Sequence, residues 1–169
     1  MSTIRPAEAR DVAAVTAIYN HYVLHDTATF ETEAVSVDEM HRRIADISSH
    51  HPYFVCEVEE PDGRKVVGYC YAHEWKTRAA YRHTLETTVY LAPAYCGRGI
   101  GRLLMEKLID TCRQSDCHAL IACITGGNTA SEVLHRKLGF KQVSHFEQVG
   151  RKFDQWLDVV DYELRLDIK

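Results

Sequence analysis

Apolar positions recur along the chain with two periods, and the switches between them mark the elements. Residues 4–7 predict a short first strand. Over residues 9–24, Val12, Val15, Ile18, Tyr19 and Tyr22 fall on one face of a 3.6-residue repeat, which predicts a helix. Met40, Ile44 and Ile47 predict a second helix over 37–48. Residues 53–59 (YFVCEVE) and 65–73 (KVVGYCYAH) predict two strands around the turn Pro61-Asp62-Gly63. Residues 84–92 (TLETTVYLA) predict a third long strand, stopped by Pro93. The helix that follows places Ile100, Leu103, Leu104, Leu108 and Cys112 inward. The run HALIACI at 118–124 is almost continuously apolar, as in a strand covered on both faces. A helix at about 129–138 ends at Gly139, and strands near 141–149 and 153–166 close the chain. With no low-complexity linker or internal repeat, the pattern predicts one domain over residues 1–169, a mixed sheet with helices on both faces in the α/β (α+β) class.

Composition narrows the function. The chain has 169 residues, enough to bury a sizeable core without disulfides or a metal. A formal net charge of −4 argues against nucleic acid as the main partner, because phosphate binding needs a basic face. No stretch approaches the roughly 20 apolar residues that cross a bilayer, and the N-terminal residues lack the apolar core of a signal peptide. The six cysteines form no C-x-x-C pair and sit mostly among apolar neighbours, which predicts reduced, packed side chains in a cytoplasmic protein. The histidine spacings are read as giving no metal site.

The segment Ala94-Tyr95-Cys96-Gly97-Arg98-Gly99-Ile100-Gly101-Arg102 joins a strand to a helix. Three alternate glycines remove Cβ atoms where a ligand approaches the backbone, and the following helix presents unpaired amides at its positive end. Together these suit phosphate oxygens, with Arg98 and Arg102 adding charge. The plainer reading is a tight turn. The spacing is G-x-G-x-G rather than the dinucleotide G-x-G-x-x-G, and no G-K-[ST] follows, so dinucleotide and nucleoside triphosphate sites both fit poorly.

With Cys96 in place of a polar first residue, Cys96-Gly97-Arg98-Gly99-Ile100-Gly101 resembles the first signature of the GNAT acetyltransferase superfamily. The stretch from Asn128 through Ser131, Leu134 and His135 to Leu138-Gly139-Phe140 resembles the second. The resemblance narrows to the phosphinothricin acetyltransferase-like branch. It is carried by Ile4-Arg5-Pro6-Ala7, Asn20-His21-Tyr22, Thr29-Phe30-Glu31-Thr32-Glu33, Tyr71-Ala72, Trp75-Lys76-Thr77-Arg78-Ala79-Ala80-Tyr81, Glu86-Thr87-Thr88-Val89-Tyr90-Leu91 and Trp156-Leu157-Asp158-Val159. Glu8 departs from the helix-capping Ser or Thr of relatives.

The resemblance implies a mostly antiparallel GNAT sheet, acetyl-CoA as co-substrate, a small-molecule amine as acceptor and a homodimer. It implies that residues 97–102 hold the diphosphate, that Val89, Tyr90 and Leu91 pair with the pantetheine arm, and that Asn128 contacts that arm. Independently of it, Glu86 alternates with Thr88 and Tyr90 on one strand face, and apolar neighbours favour a raised pKa suited to a general base. The plainer reading of Glu86 is an exposed or ion-paired carboxylate. His135 occupies the position of a tyrosine that protonates the leaving thiolate in many superfamily members, and histidine is able to do the same; packing on the helix is the alternative. Trp75, Lys76, Arg78 and Tyr81 are expected to face the acceptor, Arg78 and Lys76 meeting its acid groups, with Phe30 and Tyr90 as walls. Lys152 and Trp156 are expected near the same site or a partner's. Such a site fits phosphinothricin, methionine sulfoximine or methionine sulfone. A protein N-terminus, an aminoglycoside or a polyamine is the competing acceptor, and a non-catalytic acyl-CoA sensor the competing class.

Overall fold

The computed structural model describes residues 2–166. Its elements run β1 (Ser2–Pro6), α1 (Val12–His25), α2 (Val37–His50), β2 (Tyr53–Glu60), β3 (Gly63–Glu74), β4 (Thr84–Leu91), α3 (Ile100–Arg113), β5 (Ala119–Thr125), α4 (Thr129–Lys137), β6 (Lys141–Lys152) and β7 (Gln155–Arg165). The seven strands form one sheet in the order β1-β2-β3-β4-β5-β7-β6. Every neighbouring pair is antiparallel except β4 and β5.

Two apolar clusters sandwich this sheet. On one face α3 packs Ile100, Leu104, Met105, Leu108, Ile109 and Cys112 against strand residues such as Cys70, Leu120 and Tyr162. On the other, Val12, Val15 and Ile18 of α1 and Met40 and Ile44 of α2 cover Tyr53, Val55 and Tyr69. Helices on both faces follow from strands that are apolar on both sides. One helix position departs from expectation. Leu103 is 45% exposed, because the buried stripe of α3 runs through 100, 104, 105, 108 and 109 and leaves 103 on its flank.

The cysteines divide. Cys56, Cys70, Cys112 and Cys117 are buried thiols as expected, whereas Cys96 and Cys123 are exposed, Cys96 in the glycine turn and Cys123 on the one outward-turned position of β5. The last hairpin is longer than its apolar pattern suggests. β6 continues to Lys152 through a register shift between Phe146 and Gly150, and Phe153 and Asp154 make the turn with positive φ. No described helix is long and apolar enough to cross a membrane.

The first strand is tied to the first helix by charge. Arg5 donates to both carboxylate oxygens of Asp11 at 2.7 and 2.8 Å and also bonds Glu57 on β2. Asp11 in turn accepts the Glu8 amide at 2.8 Å, one half of a capping box between Glu8 and Asp11. Burial pushes the Asp11 carboxyl upward, but the Arg5 hydrogen bonds override it and hold the group below the usual range. A folded-state pKa below the unfolded value of about 3.9 contributes stability above that pH and loses it as pH falls through the folded value. Asp11→Ala therefore costs about 3 kcal/mol in urea unfolding at neutral pH, the scale of breaking a buried pair. The gap between variant and parent closes as the titration is carried into acid.

Candidate active site

The parallel β4–β5 ladder is short. It pairs Thr84 with Ala119, Leu85 with Leu120 and Glu86 with Ile121, and goes no further. Beyond Glu86 the two strands part. On its other edge β4 stays paired with β3 as far as Leu91, and the Ala92 amide donates to Val67 at 2.8 Å. Alternation along an antiparallel ladder then turns the even-numbered amides of β4 toward β3 and those of Val89 and Leu91 toward the gap. The Leu91 carbonyl takes the Tyr22 hydroxyl at 2.6 Å. Tyr90 is thus a correction to the expected three-residue edge: its backbone faces β3, and it enters the site by its ring.

The gap opens into a groove of about 640 Å³. Its floor is Val89 and Leu91, one wall is the turn at Gly97, Gly99, Gly101 and Arg102, and the other is α4 with Asn128, Leu134 and Lys137. Gly97 and Gly99 hold φ of +75° and +80°, a region that costs other residues roughly 1–2 kcal/mol. The first helical bond of α3 runs from the Leu103 amide to the Gly99 carbonyl, so the amides of Ile100, Gly101 and Arg102 have no partner within the helix. The Ile100 side chain is buried and contributes only its amide. Gly101 packs beside Leu134 and Leu91, where an added Cβ would lie in ordinary contact at 3.5 Å from each. Arg102 lines the groove while bonded to Glu106 at 2.7 Å, whereas Arg98 lies over the Tyr95 ring and outside the groove wall.

Asn128 caps α4, its Oδ1 accepting the Ser131 amide at 3.3 Å, which leaves Nδ2 as a donor. It stands where the groove meets a second chamber of about 320 Å³, and Val89, Tyr90 and Ser131 are shared between the two spaces. The chamber contains Glu86, Thr88, Tyr90, Cys123, His135 and Phe30. Burial pushes the Glu86 carboxyl above the ordinary glutamate range, against the pull of His73 and a hydrogen bond from the Cys123 thiol, with the charge of Asp161 adding to the rise. Burial beside Glu86 also pushes Cys123 up, so its thiol stays protonated.

His135 departs from the proton donor expected of it. It is 3% exposed, its Nδ1–H donates to the Ser131 carbonyl at 2.8 Å, and burial lowers its pKa. The neutral ring has its one N–H spent on the helix and offers an acceptor, not an acid. The basic cluster also departs from expectation. Lys76 lies 4.1 Å over the Trp75 ring and 5.2 Å from the Tyr81 ring centre, Arg78 is exposed, and none of these four residues lines the chamber. The loop bends at the Glu74–Leu85 end of the β3–β4 hairpin and closes on itself. His21 and His25 hold the i, i+4 spacing of metal ligands with rings 5.4 Å apart, but no third ligand joins them among the described residues.

The loop between α1 and α2 carries Phe30 into the chamber, and Lys152 holds it there. The Lys152 Nζ, 4% exposed as a residue, donates to the carbonyls of Tyr22, Asp26 and Thr29 at 3.2, 2.6 and 2.8 Å. Lys152 is therefore a clamp rather than a contact for the acceptor, and Trp156 is 60% exposed on the hairpin. Further ties come from the Thr125 hydroxyl to the Thr27 carbonyl at 2.7 Å and from Arg43 to Glu31 at 2.8 and 2.9 Å. Phe30 itself presses on Gly150, where an added Cβ would lie 2.2 Å from the ring. The sequence signal for the clamp is weak, since a lysine buried against carbonyls leaves no motif.

The chain that builds this groove and chamber matches a known family. The acetyltransferase (GNAT) domain family matches residues 4–160, and the chain belongs to it. The chain is 38% identical to the L-methionine sulfoximine/L-methionine sulfone acetyltransferase of Salmonella typhimurium, over 98% of this chain and 95% of that one. It is 42% identical to the phosphinothricin N-acetyltransferase of Alcaligenes faecalis, over 94% of this chain and 79% of that one. A phosphinothricin acetyltransferase of Sinorhizobium meliloti, solved in complex with acetyl-CoA, superposes with a TM-score of 0.92 at 36% identity, covering 98% of this chain and 88% of that one. The protein is an acyltransferase.

The clamp generates a prediction. Lys152→Met removes the donor shared by three carbonyls, that of the buried Thr29 among them, and an unsatisfied buried acceptor costs about 1–3 kcal/mol. Urea unfolding shows a loss of about 3 kcal/mol, and limited proteolysis cuts first within residues 26–35.

Proposed function

We propose that this protein transfers the acetyl group of acetyl-CoA to the amino group of a small, amino-acid-like acceptor such as phosphinothricin, methionine sulfoximine or methionine sulfone. The observation that carries the reading is the continuity of the groove with the chamber that contains Glu86. An extended chain laid along Val89 and Leu91, with a diphosphate at the amides of residues 100–102, brings its far end to Asn128 and then to the carboxylate. The relatives named above support the acceptor class, and so does a chamber near the lower limit of small-molecule sites, too small for an aminoglycoside. A sensor without chemistry has no use for a carboxylate with a raised pKa at the end of its groove.

In this reading Glu86 takes a proton from the acceptor ammonium, freeing the nitrogen lone pair to attack the thioester carbonyl. The Leu91 amide donates to the thioester oxygen as charge develops on it. The Cys123 thiol donates a hydrogen bond to Glu86. The departing thiolate takes the proton that the attacking nitrogen sheds after bond formation, which needs no dedicated acid.

A thiol-release assay with acetyl-CoA is expected to give turnover with phosphinothricin, methionine sulfone or methionine sulfoximine and none with an aminoglycoside; turnover of the aminoglycoside alone overturns the acceptor class. Glu86→Gln lowers kcat by about 10²–10⁴-fold while acetyl-CoA still binds. Because burial raises the Glu86 pKa and the base must be ionised, kcat/KM falls with decreasing pH along a limb centred above the ~4.3 of a free glutamate.

We further propose that the protein is a cytoplasmic homodimer assembled through the terminal hairpin. β6 is the sheet edge, and the hairpin exposes Val143, Phe146, Val149, Phe153 and Trp156, each at least half accessible. Sedimentation is expected to give twice the chain mass, and Phe146→Glu with Val149→Glu to give the monomer.

A further inference from the structure

Acetylation of an ammonium group releases a proton. The nitrogen begins with three hydrogens and ends with one; the thiolate takes one of the two it loses, and the other must reach solvent before the base works again. If Glu86 accepts that proton, something has to remove it.

Glu86 sits opposite His73 in the β3–β4 ladder, and cross-strand partners share a face of the sheet. The His73 Nδ1 lies 2.8 Å from the Glu74 carbonyl, which only accepts, so Nδ1 carries the hydrogen. The tautomer this imposes leaves a lone pair on Nε2, which lies 3.9 Å from Glu86 Oε1. A small rotation of either side chain, or one bridging water, spans that distance. His73 also lines a separate cleft of about 530 Å³ between α2 and the sheet, with none of its lining residues shared with the acyl groove. The groups around the pair are Cys123 and Asp161 beside Glu86, and Tyr71, Glu74, Arg43, Asp46, His50 and His51 along the cleft. Among the described residues, no basic side chain pairs with Glu86 more directly than His73.

We propose that His73 carries the reaction's proton from Glu86 to this cleft. The inference rests on the reading of Glu86 as base. The Glu86 O–H bond breaks as the proton passes to His73 Nε2. The ring becomes an imidazolium with Nδ1–H still on the Glu74 carbonyl. Nε2 then loses the proton to water in the cleft, and both residues return to their starting states. His73 touches no substrate and acts through Glu86.

Two substitutions test this. His73→Gln keeps a polar group near Glu86 but has no exchangeable lone pair of the right basicity; His73→Ala leaves a gap that free imidazole fits. Both are expected to lower kcat by about 10- to 100-fold, on the scale of lost proton transfer, with the KM for acetyl-CoA unchanged. Added imidazole is expected to restore kcat of His73→Ala in proportion to its concentration and to do nothing for Glu86→Gln. Parent-like kcat in both His73 variants, or a loss that imidazole does not repair, overturns the relay while leaving Glu86 as base. Full turnover by Glu86→Gln instead overturns the base itself, whatever the His73 variants do.

Discussion

Beyond the Glu86–Ile121 register, β4 and β5 separate, and the amides and carbonyls of Val89 and Leu91 lose the partner that a continuous sheet would give them. Buried amides and carbonyls need partners, so a gap inside a sheet persists only where something else can occupy it. Here the gap is held open from both sides. The chain leaves β4 at Pro93 into the glycine turn and α3, and it leaves β5 at Gly126 into α4, so a helix start flanks each side of the opening at the carboxyl end of the two parallel strands. The Tyr22 hydroxyl holds the Leu91 carbonyl. The result is a strand edge, a set of helix-start amides and a carboxylate in one continuous space.

Much of this was legible in the sequence, for reasons that differ by residue. The glycine turn could be read because positive φ at Gly97 and Gly99 is a requirement few other residues meet. Asn128 could be read only because its stretch, through Leu138-Gly139-Phe140, resembles the second family signature; its capping of α4 is seen in the structure. The period of the apolar residues gave the elements to within a few positions, missing mainly where β6 shifts register, since a bulge erases the alternation that marks a strand. Leu103 was misassigned because a leucine one step off the buried stripe fits the periodic pattern nearly as well as one on it.

Residues whose role depends on distant partners were not legible. His135 has the right position for an acid, but its tautomer is decided by the Ser131 carbonyl, which no spacing reveals. Lys76 and Arg78 have the right charge for an acidic acceptor, but Lys76 settles on Trp75 and Tyr81. His73 attracted no notice because its meaning comes from the ladder that sets it across from Glu86. Lys152, expected near the acceptor, instead spends its ammonium on three carbonyls of α1 and the loop after it, which no spacing along the chain reveals.

The contact between Phe30 and Gly150 joins the chamber wall to a strand that lines none of the acyl groove. Gly150 lies directly at the β6 register shift, where a residue gained or lost displaces the strand without unpairing the rest of the hairpin. The width available to an acceptor side chain is therefore set by the hairpin's alignment as well as by the identity of the lining residues. Relatives that keep every lining residue but differ in hairpin length would differ in the size of molecule they admit.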